Sequence, residues 1–158
     1  METDYPVVRI SWNDYEQLAN DILNKVSGLH IDYVVPVLRG GSVLGLTIAN
    51  NLNLPMGFLY TRRSATNNPN SDFGEPIFLG EIGLENIKDK TILICEDIID
   101  TELTIKDVLC QIKRYNPKKI IISTLYNFSK NDAYYSGCMS KHHYWVIFPW
   151  ERIMHENN

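Results

Sequence analysis

The stretch Thr91-Ile92-Leu93-Ile94-Cys95-Glu96-Asp97-Ile98-Ile99-Asp100-Thr101-Glu102-Leu103-Thr104 constrains this chain more than any other. Its first part, Thr91 to Cys95, is a continuous apolar run set off by the turn-like Lys88-Asp89-Lys90. A half-buried strand alternates apolar and polar residues, whereas an unbroken short run fits a central parallel strand buried on both faces. The run delivers two adjacent acids, then a third acid, then hydroxyl residues at a helix start. That helix reads as Thr104 to Tyr115, closed off by Asn116-Pro117, because a proline disfavours helical backbone in the residue before it.

A parallel strand needs helical crossovers, and the rest of the chain supplies them. Ser11 with Asp14 three residues later marks a helix start. Behind it Tyr15, Leu18, Ala19, Ile22, Leu23 and Val26 recur at helical spacing, and Gly28 stands where the helix would stop. Tyr33 to Leu38 reads as a buried strand running into Arg39-Gly40-Gly41, Ser42 to Leu52 as a helix, and Gly57 to Tyr60 as a short strand. Arg62 to Glu75 is polar, with Pro69 and Gly74, and reads as a long mobile loop of the kind that is usually functional. Lys119 to Tyr126 and Tyr144 to Phe148 read as two further buried strands. Strands alternating with helices predict an α/β fold with a mostly parallel sheet. At 158 residues the expectation is one domain over 1–158.

A net charge of −4 argues against a broad nucleic-acid-binding face, which would need clustered Lys and Arg. The pairs Arg62-Arg63 and Lys118-Lys119 read as solvated surface. The start Met1-Glu2-Thr3-Asp4 has no basic region followed by an apolar run, so no secretory signal is expected. The apolar runs are too short to cross a bilayer. Cys95, Cys110 and Cys138 form no CxxC pair and read as reduced thiols of a cytoplasmic protein, with Cys95 in the core. His30, His142, His143 and His155 have no spacing that demands a metal, and surface or packing roles are expected for them.

Ligands of open α/β sheets bind beyond the carboxyl ends of the strands, where the acids after Cys95 would lie. Backbone N–H groups and hydroxyls at a helix start suit a phosphate, and adjacent carboxylates suit vicinal sugar hydroxyls or magnesium. Taken singly, these pieces describe a strand, an acidic loop and a helix capped by Thr104 or Thr101. Their order and spacing together favour a sugar phosphate.

Glu96-Asp97-Ile98-Ile99-Asp100-Thr101 resembles the signature with which hypoxanthine-guanine and xanthine-guanine phosphoribosyltransferases bind phosphoribosyl pyrophosphate (PRPP). The resemblance implies the type I phosphoribosyltransferase fold, with a central sheet, flanking helices, a flexible loop and a small base-binding hood. It implies that Glu96 and Asp97 engage the ribose hydroxyls, directly or through Mg2+. Asp100 would face the purine imidazole as general acid or base, and Asp100, Thr101, Glu102, Leu103 and Thr104 would wrap the 5′-phosphate. Pro36-Val37-Leu38-Arg39-Gly40-Gly41 resembles the family's pyrophosphate loop, assigning that role to Leu38, Arg39, Gly40 and Gly41 and allowing a cis Leu38–Arg39 bond. Arg62 to Glu75 stands where the family's loop closes over PRPP. Trp145-Val146-Ile147-Phe148-Pro149-Trp150-Glu151 resembles the base-binding end of the xanthine-guanine branch. Trp145 would stack on the purine, Val146 would present main-chain groups to it, and Glu151 would serve the base and, with Glu96 and Asp97, the metal. A tryptophan on a strand is otherwise more often a core residue.

Two positions depart from the family. Its signature continues Thr-Gly, whereas this chain has Thr101-Glu102, which introduces strain and a charge that either faces the 5′-phosphate or points into solvent. The purine members carry a lysine near the base's exocyclic oxygen, where this chain has Asn127, with Lys130 nearby as a substitute. The expected function is a purine phosphoribosyltransferase of purine salvage that joins PRPP to a purine base, with a homodimer or homotetramer as its assembly and no nucleic-acid or membrane partner. The alternatives are a weak or inactive protein of the same fold that binds PRPP or nucleotide as a regulator, and a transferase for a non-purine base.

Overall fold

A computed structural model of the chain describes residues 6–63 and 76–151. The elements in order are β1 (Val7–Arg9), α1 (Trp12–Val26), β2 (Tyr33–Leu38), α2 (Ser42–Leu52), β3 (Phe58–Arg63), β4 (Pro76–Ile82), a 3₁₀ turn (Leu84–Ile87), β5 (Thr91–Ile99), α3 (Leu103–Lys113), β6 (Lys119–Asn127), β7 (Tyr135–Met139) and β8 (Trp145–Ile147). Six strands form a sheet of order β4-β3-β2-β5-β6-β7. Every neighbouring pair is parallel except β3 and β4.

The apolar run is the sheet's centre. Along β5 the side chains alternate between two cores: Leu93 and Cys95 pack with residues of α1 and α2, while Ile92 and Ile94 pack with residues of α3 and the 3₁₀ turn. Both faces are covered, which is why the run contains no polar break. Each of Ile92, Leu93 and Ile94 is fully buried, stabilising the fold by about 1.5–3 kcal/mol apiece before entropy is counted.

Helix α1 starts as expected. Asp14 N–H donates to Ser11 Oγ (3.1 Å) and Ser11 N–H donates to Asp14 Oδ2 (2.9 Å), a reciprocal cap. From β2 the chain passes through α2 to β3 on one side; from β5 it passes through α3 to β6 on the other. The winding reverses between β2 and β5, and the crevice beyond their carboxyl ends is where such sheets hold ligands.

Several expectations are corrected. Helix α3 is capped by neither Thr101 nor Thr104: its N-cap is Glu102, in left-handed conformation and with no side-chain cap bond. The last strand is not a buried member of the main sheet; Trp145–Ile147 pairs in parallel with Val7–Arg9 as a separate two-stranded ribbon. Arg62 and Arg63 continue β3 rather than opening a loop, and residues 64–75 of that expected loop lie outside the described residues, as does His155. Cys95 is fully buried as expected, and burial pushes its thiol up to about 12. Among the described residues no helix is long and apolar enough to cross a membrane.

Candidate active site

Strand β5 ends in the acids. Glu96 is 6% exposed; its Oε1 accepts from Asp97 N–H (3.2 Å), and Asp97 Oδ1 accepts from Ile98 N–H (2.7 Å). Burial pushes the Asp97 carboxyl above its ordinary range, and the hydrogen bonds with Glu96 and Ile98 pull partly against it. Two neighbouring carboxylates withdrawn from water are stabilised by a cation or by hydroxyl donors.

The loop leaving β2 is pressed against these acids. Its Leu38–Arg39 peptide is cis, and Gly41 N–H donates to Val37 O (2.9 Å). A Cβ on Gly40 would collide with the Asp97 carboxylate, and one on Gly41 with the Cys95 carbonyl oxygen. The two glycines are therefore required by close approach. Arg39 is exposed and, with Gly40 and Gly41, is not on the wall of the cavity; only Leu38 of that loop lines it. Leu38 is the loop's part of the cavity wall, and Gly40 packs the loop against Asp97.

Beyond β5 the cavity has a volume of about 350 Å³, and Glu96, Asp97, Asp100, Thr101 and Thr104 line one side of it. That is the size of a small-ligand site. Glu102 and Leu103 do not line it. The backbone of Glu102 sits at φ 61°, so the expected strain is present. The expected choice between phosphate and solvent is not: Glu102 Oε1 accepts from Tyr134 O–H (2.6 Å) and Asn131 Nδ2 (3.1 Å). These bonds, Tyr134 first, hold the carboxyl below its usual range. Burial first, and then Glu102, push the Tyr134 phenol up to about 12.

Aromatic residues complete the lining. Trp145, 41% exposed, and the buried Val146 line the cavity, joined by Phe128, His143 and Tyr144. An exposed Trp145 on a cavity wall does not suit the core reading. Asn127, expected in the base pocket, is corrected: it is fully buried, its Nδ2 donates to Asn131 O (2.8 Å), and its Oδ1 accepts from Ser129 O–H (2.7 Å). Both ends of the amide shape the loop after β6 and neither reaches the cavity wall. Lys130 is exposed and off the wall as well.

Glu151 lines the cavity, and its Oε2 accepts from Phe148 N–H (3.1 Å). Burial and then the Asp97 charge push its carboxyl up, so Asp97 and Glu151 share one electrostatic field. Among the described residues no group of three or more His, Cys, Asp or Glu is arranged to hold a metal; Glu96, Asp97 and Glu151, expected to serve one, all line the cavity. Glu96 and Asp97 still fit magnesium, which commonly takes one or two carboxylates and fills its remaining positions with substrate phosphates and water.

Thr61, Arg62, Phe128, His143 and Tyr144 line the cavity without having been singled out in the sequence. Arg62 reads both as half of a basic surface pair and as the start of the loop expected to close over PRPP. His143 has Nδ1 3.4 Å from Asp100 Oδ1 and stacks on Phe128 at 5.4 Å between ring centroids, contacts between distant segments that no local spacing reveals.

Comparison with known proteins identifies the family and the fold. The profile of the Phosphoribosyl transferase domain matches residues 10–153. Hypoxanthine-guanine phosphoribosyltransferase of Homo sapiens is 33% identical over 119 residues, which is 70% of this chain and 54% of that protein. The chain thus spans about half the length of the curated relatives it matches. Among solved structures, a purine phosphoribosyltransferase from Pyrococcus horikoshii superposes with TM-score 0.77 at 21% identity, over 92% of this chain and 93% of that one. A Neisseria gonorrhoeae protein with bound ppGpp superposes with TM-score 0.80 at 14% identity, over 97% and 93%. At these identities the superpositions speak for the fold, which is the type I phosphoribosyltransferase fold. The chain belongs to the phosphoribosyltransferase family.

Proposed function

We propose that the protein transfers the phosphoribosyl group of PRPP to a purine base, giving nucleoside monophosphate and pyrophosphate. The observation that carries this reading is one cavity lined both by Glu96, Asp97 and Asp100 and by the exposed Trp145. The acids suit the charged sugar and the indole suits a flat heterocycle.

In this mechanism the lone pair of purine N9 forms the bond to C1′ of the ribose. The bond from C1′ to the pyrophosphate oxygen breaks, and its electron pair leaves with pyrophosphate. For N9 to be free the imidazole proton must sit on N7, and Asp100 accepts it. Glu96 and Asp97 hold the ribose hydroxyls, the backbone from Asp100 to Thr104 holds the 5′-phosphate, and Trp145 with Val146 holds the base. Magnesium, carried by Glu96 and Asp97 together with substrate oxygens, would neutralise the leaving pyrophosphate. A homodimer or homotetramer is the proposed assembly.

A second reading, binding of PRPP or nucleotide without turnover, is favoured by Glu102 standing left-handed where the family's signature has glycine. Pyrophosphate release with PRPP, Mg2+ and each of hypoxanthine, guanine, xanthine and adenine separates the two. The transferase reading expects release with at least one base, and a loss of about 10²- to 10⁴-fold in Asp100→Asn with PRPP binding kept. PRPP binding with no release from any base leaves the second reading standing.

A further inference from the structure

We propose that Tyr134 and Asn131 are positioning residues for the phosphate-binding turn and act through Glu102, an inference that rests on reading Asp100 to Thr104 as that turn. They hold the Glu102 carboxylate away from the start of α3 and so leave the helix's first N–H groups to a ligand phosphate. Glu102 is the N-cap of α3, yet its side chain makes no bond to the helix. Its Oε1 accepts instead from Tyr134 O–H (2.6 Å) and from Asn131 Nδ2 (3.1 Å), both in the connection between β6 and β7. Thr101 before it and Thr104 after it line the cavity, whereas Glu102, Asn131 and Tyr134 do not.

The connection holds Asn131 firmly. Its backbone oxygen accepts from Nδ2 of the fully buried Asn127 (2.8 Å), its N–H donates to Ser129 Oγ (3.3 Å), and its Oδ1 accepts from Ala133 N–H (3.0 Å). At the start of the same connection Phe128 N–H donates to Ile99 O (2.8 Å), which ties it to the end of β5. The carboxylate has another place to go. The first N–H groups of an α-helix have no partner within it, and their partial positive charge draws an anion. An acid at the N-cap ordinarily accepts from the second or third helical N–H, here that of Thr104 or Ile105. A ligand phosphate is drawn to the same groups. A released carboxylate would therefore compete with the phosphate for donors and repel it as well. The bonds from Tyr134 and Asn131 lower the carboxyl's pKa, so it is an anion at neutral pH and its placement matters.

The test adds Tyr134→Phe to wild type and, separately, to Glu102→Gln, which has no anion to release. PRPP affinity with Mg2+ present is measured by calorimetry, and stability by urea unfolding. In the wild-type background Tyr134→Phe is expected to weaken PRPP binding about tenfold, the scale on which one carboxylate opposes a doubly charged phosphate about 5 Å away in water. In the Glu102→Gln background the same change is expected to leave affinity where it was. A bond that only supports the fold would lower the urea midpoint of Tyr134→Phe and leave its PRPP affinity unchanged or raised; that result overturns the proposal. An equal loss of affinity in both backgrounds also overturns it, because Tyr134 would then act by a route other than the carboxylate. If wild type binds neither PRPP nor a nucleoside monophosphate, the reading of the turn fails by itself, and amide exchange at Thr104 and Ile105 decides on Tyr134. Slower exchange in Tyr134→Phe that the double variant lacks upholds the restraint on the carboxylate; any other pattern overturns it.

Discussion

Replacing Glu102 separates backbone strain from side-chain bonding, because the structure gives this one residue both. At φ 61° a non-glycine residue is disfavoured by about 1 kcal/mol relative to glycine. Against this, the carboxylate accepts from Tyr134 O–H and Asn131 Nδ2, and at a partly exposed position each bond contributes about 1 kcal/mol. Glu102→Ala loses both bonds and keeps the strain, a cost of about 2 kcal/mol by these figures. Glu102→Gly loses the bonds and relieves the strain, so its cost falls to about 1 kcal/mol. Glu102→Gln keeps an oxygen acceptor and costs least. Urea unfolding of the four proteins at neutral pH measures the order. The Glu102 carboxyl is held below its ordinary value of 4.5. Its contribution is therefore fully present above that value and is lost as pH falls through the folded value, so the gap between wild type and Glu102→Ala narrows in acid. The side chain is turned away from the cavity, so Glu102→Gly leaves PRPP affinity within a few-fold of wild type. A glycine variant as unstable as the alanine one, or a gap unchanged in acid, would refute this account.

Other outcomes can be checked in parallel. Gly40→Ala forces the Asp97 carboxylate aside; calorimetry should show PRPP binding with Mg2+ largely lost while far-UV circular dichroism stays native, and unimpaired binding would contradict the close approach. Gly41→Ala meets a backbone carbonyl instead and should destabilise by about 1–3 kcal/mol, so a wild-type melting temperature would count against it. Trp145→Ala, at a 41% exposed position, should leave stability within about 1 kcal/mol and weaken nucleotide binding by about 1–3 kcal/mol; an unfolded variant would restore the core reading. Magnesium alone should raise the melting temperature little and magnesium with PRPP much more, because Glu96 and Asp97 supply only part of a coordination shell; a large shift with the metal alone would show a site complete without substrate.

The sheet's centre was legible because its residues obey one rule over a long enough stretch. From Ile92 to Cys95 no polar residue intervenes, and both faces turn out to be covered. Glu96, Asp97, Asp100 and Thr101 were legible because strand, acid and helix start follow in one continuous segment, so chain order fixes their neighbourhood. The failures share a cause. Asn127 was judged by its place after a strand, but its amide is spent on Asn131 and Ser129, within a loop whose path no residue type announces. Glu102 was weighed between phosphate and solvent, whereas its partners come from the connection between β6 and β7. His143 became part of the site only through Asp100 and Phe128, which the fold brings to it. Trp145–Ile147 looked like one more sheet strand because hydrophobicity alone does not say which neighbour a strand will choose.

The position of β5 between two parallel neighbours also sets how the two sides of the cavity move. Amides in the middle of β5 are bonded into ladders with β2 and β6 and buried on both faces, so they exchange with solvent only when the whole sheet comes apart. Glu96, the next residue, is still paired with Thr124 of β6. The β1 and β8 ribbon holds three residue pairs, few enough to open locally and often. Deuterium labelling should therefore fill the Trp145–Ile147 strand long before the centre of β5, so that the proposed base site rests on the faster element and the proposed sugar site on the slower one.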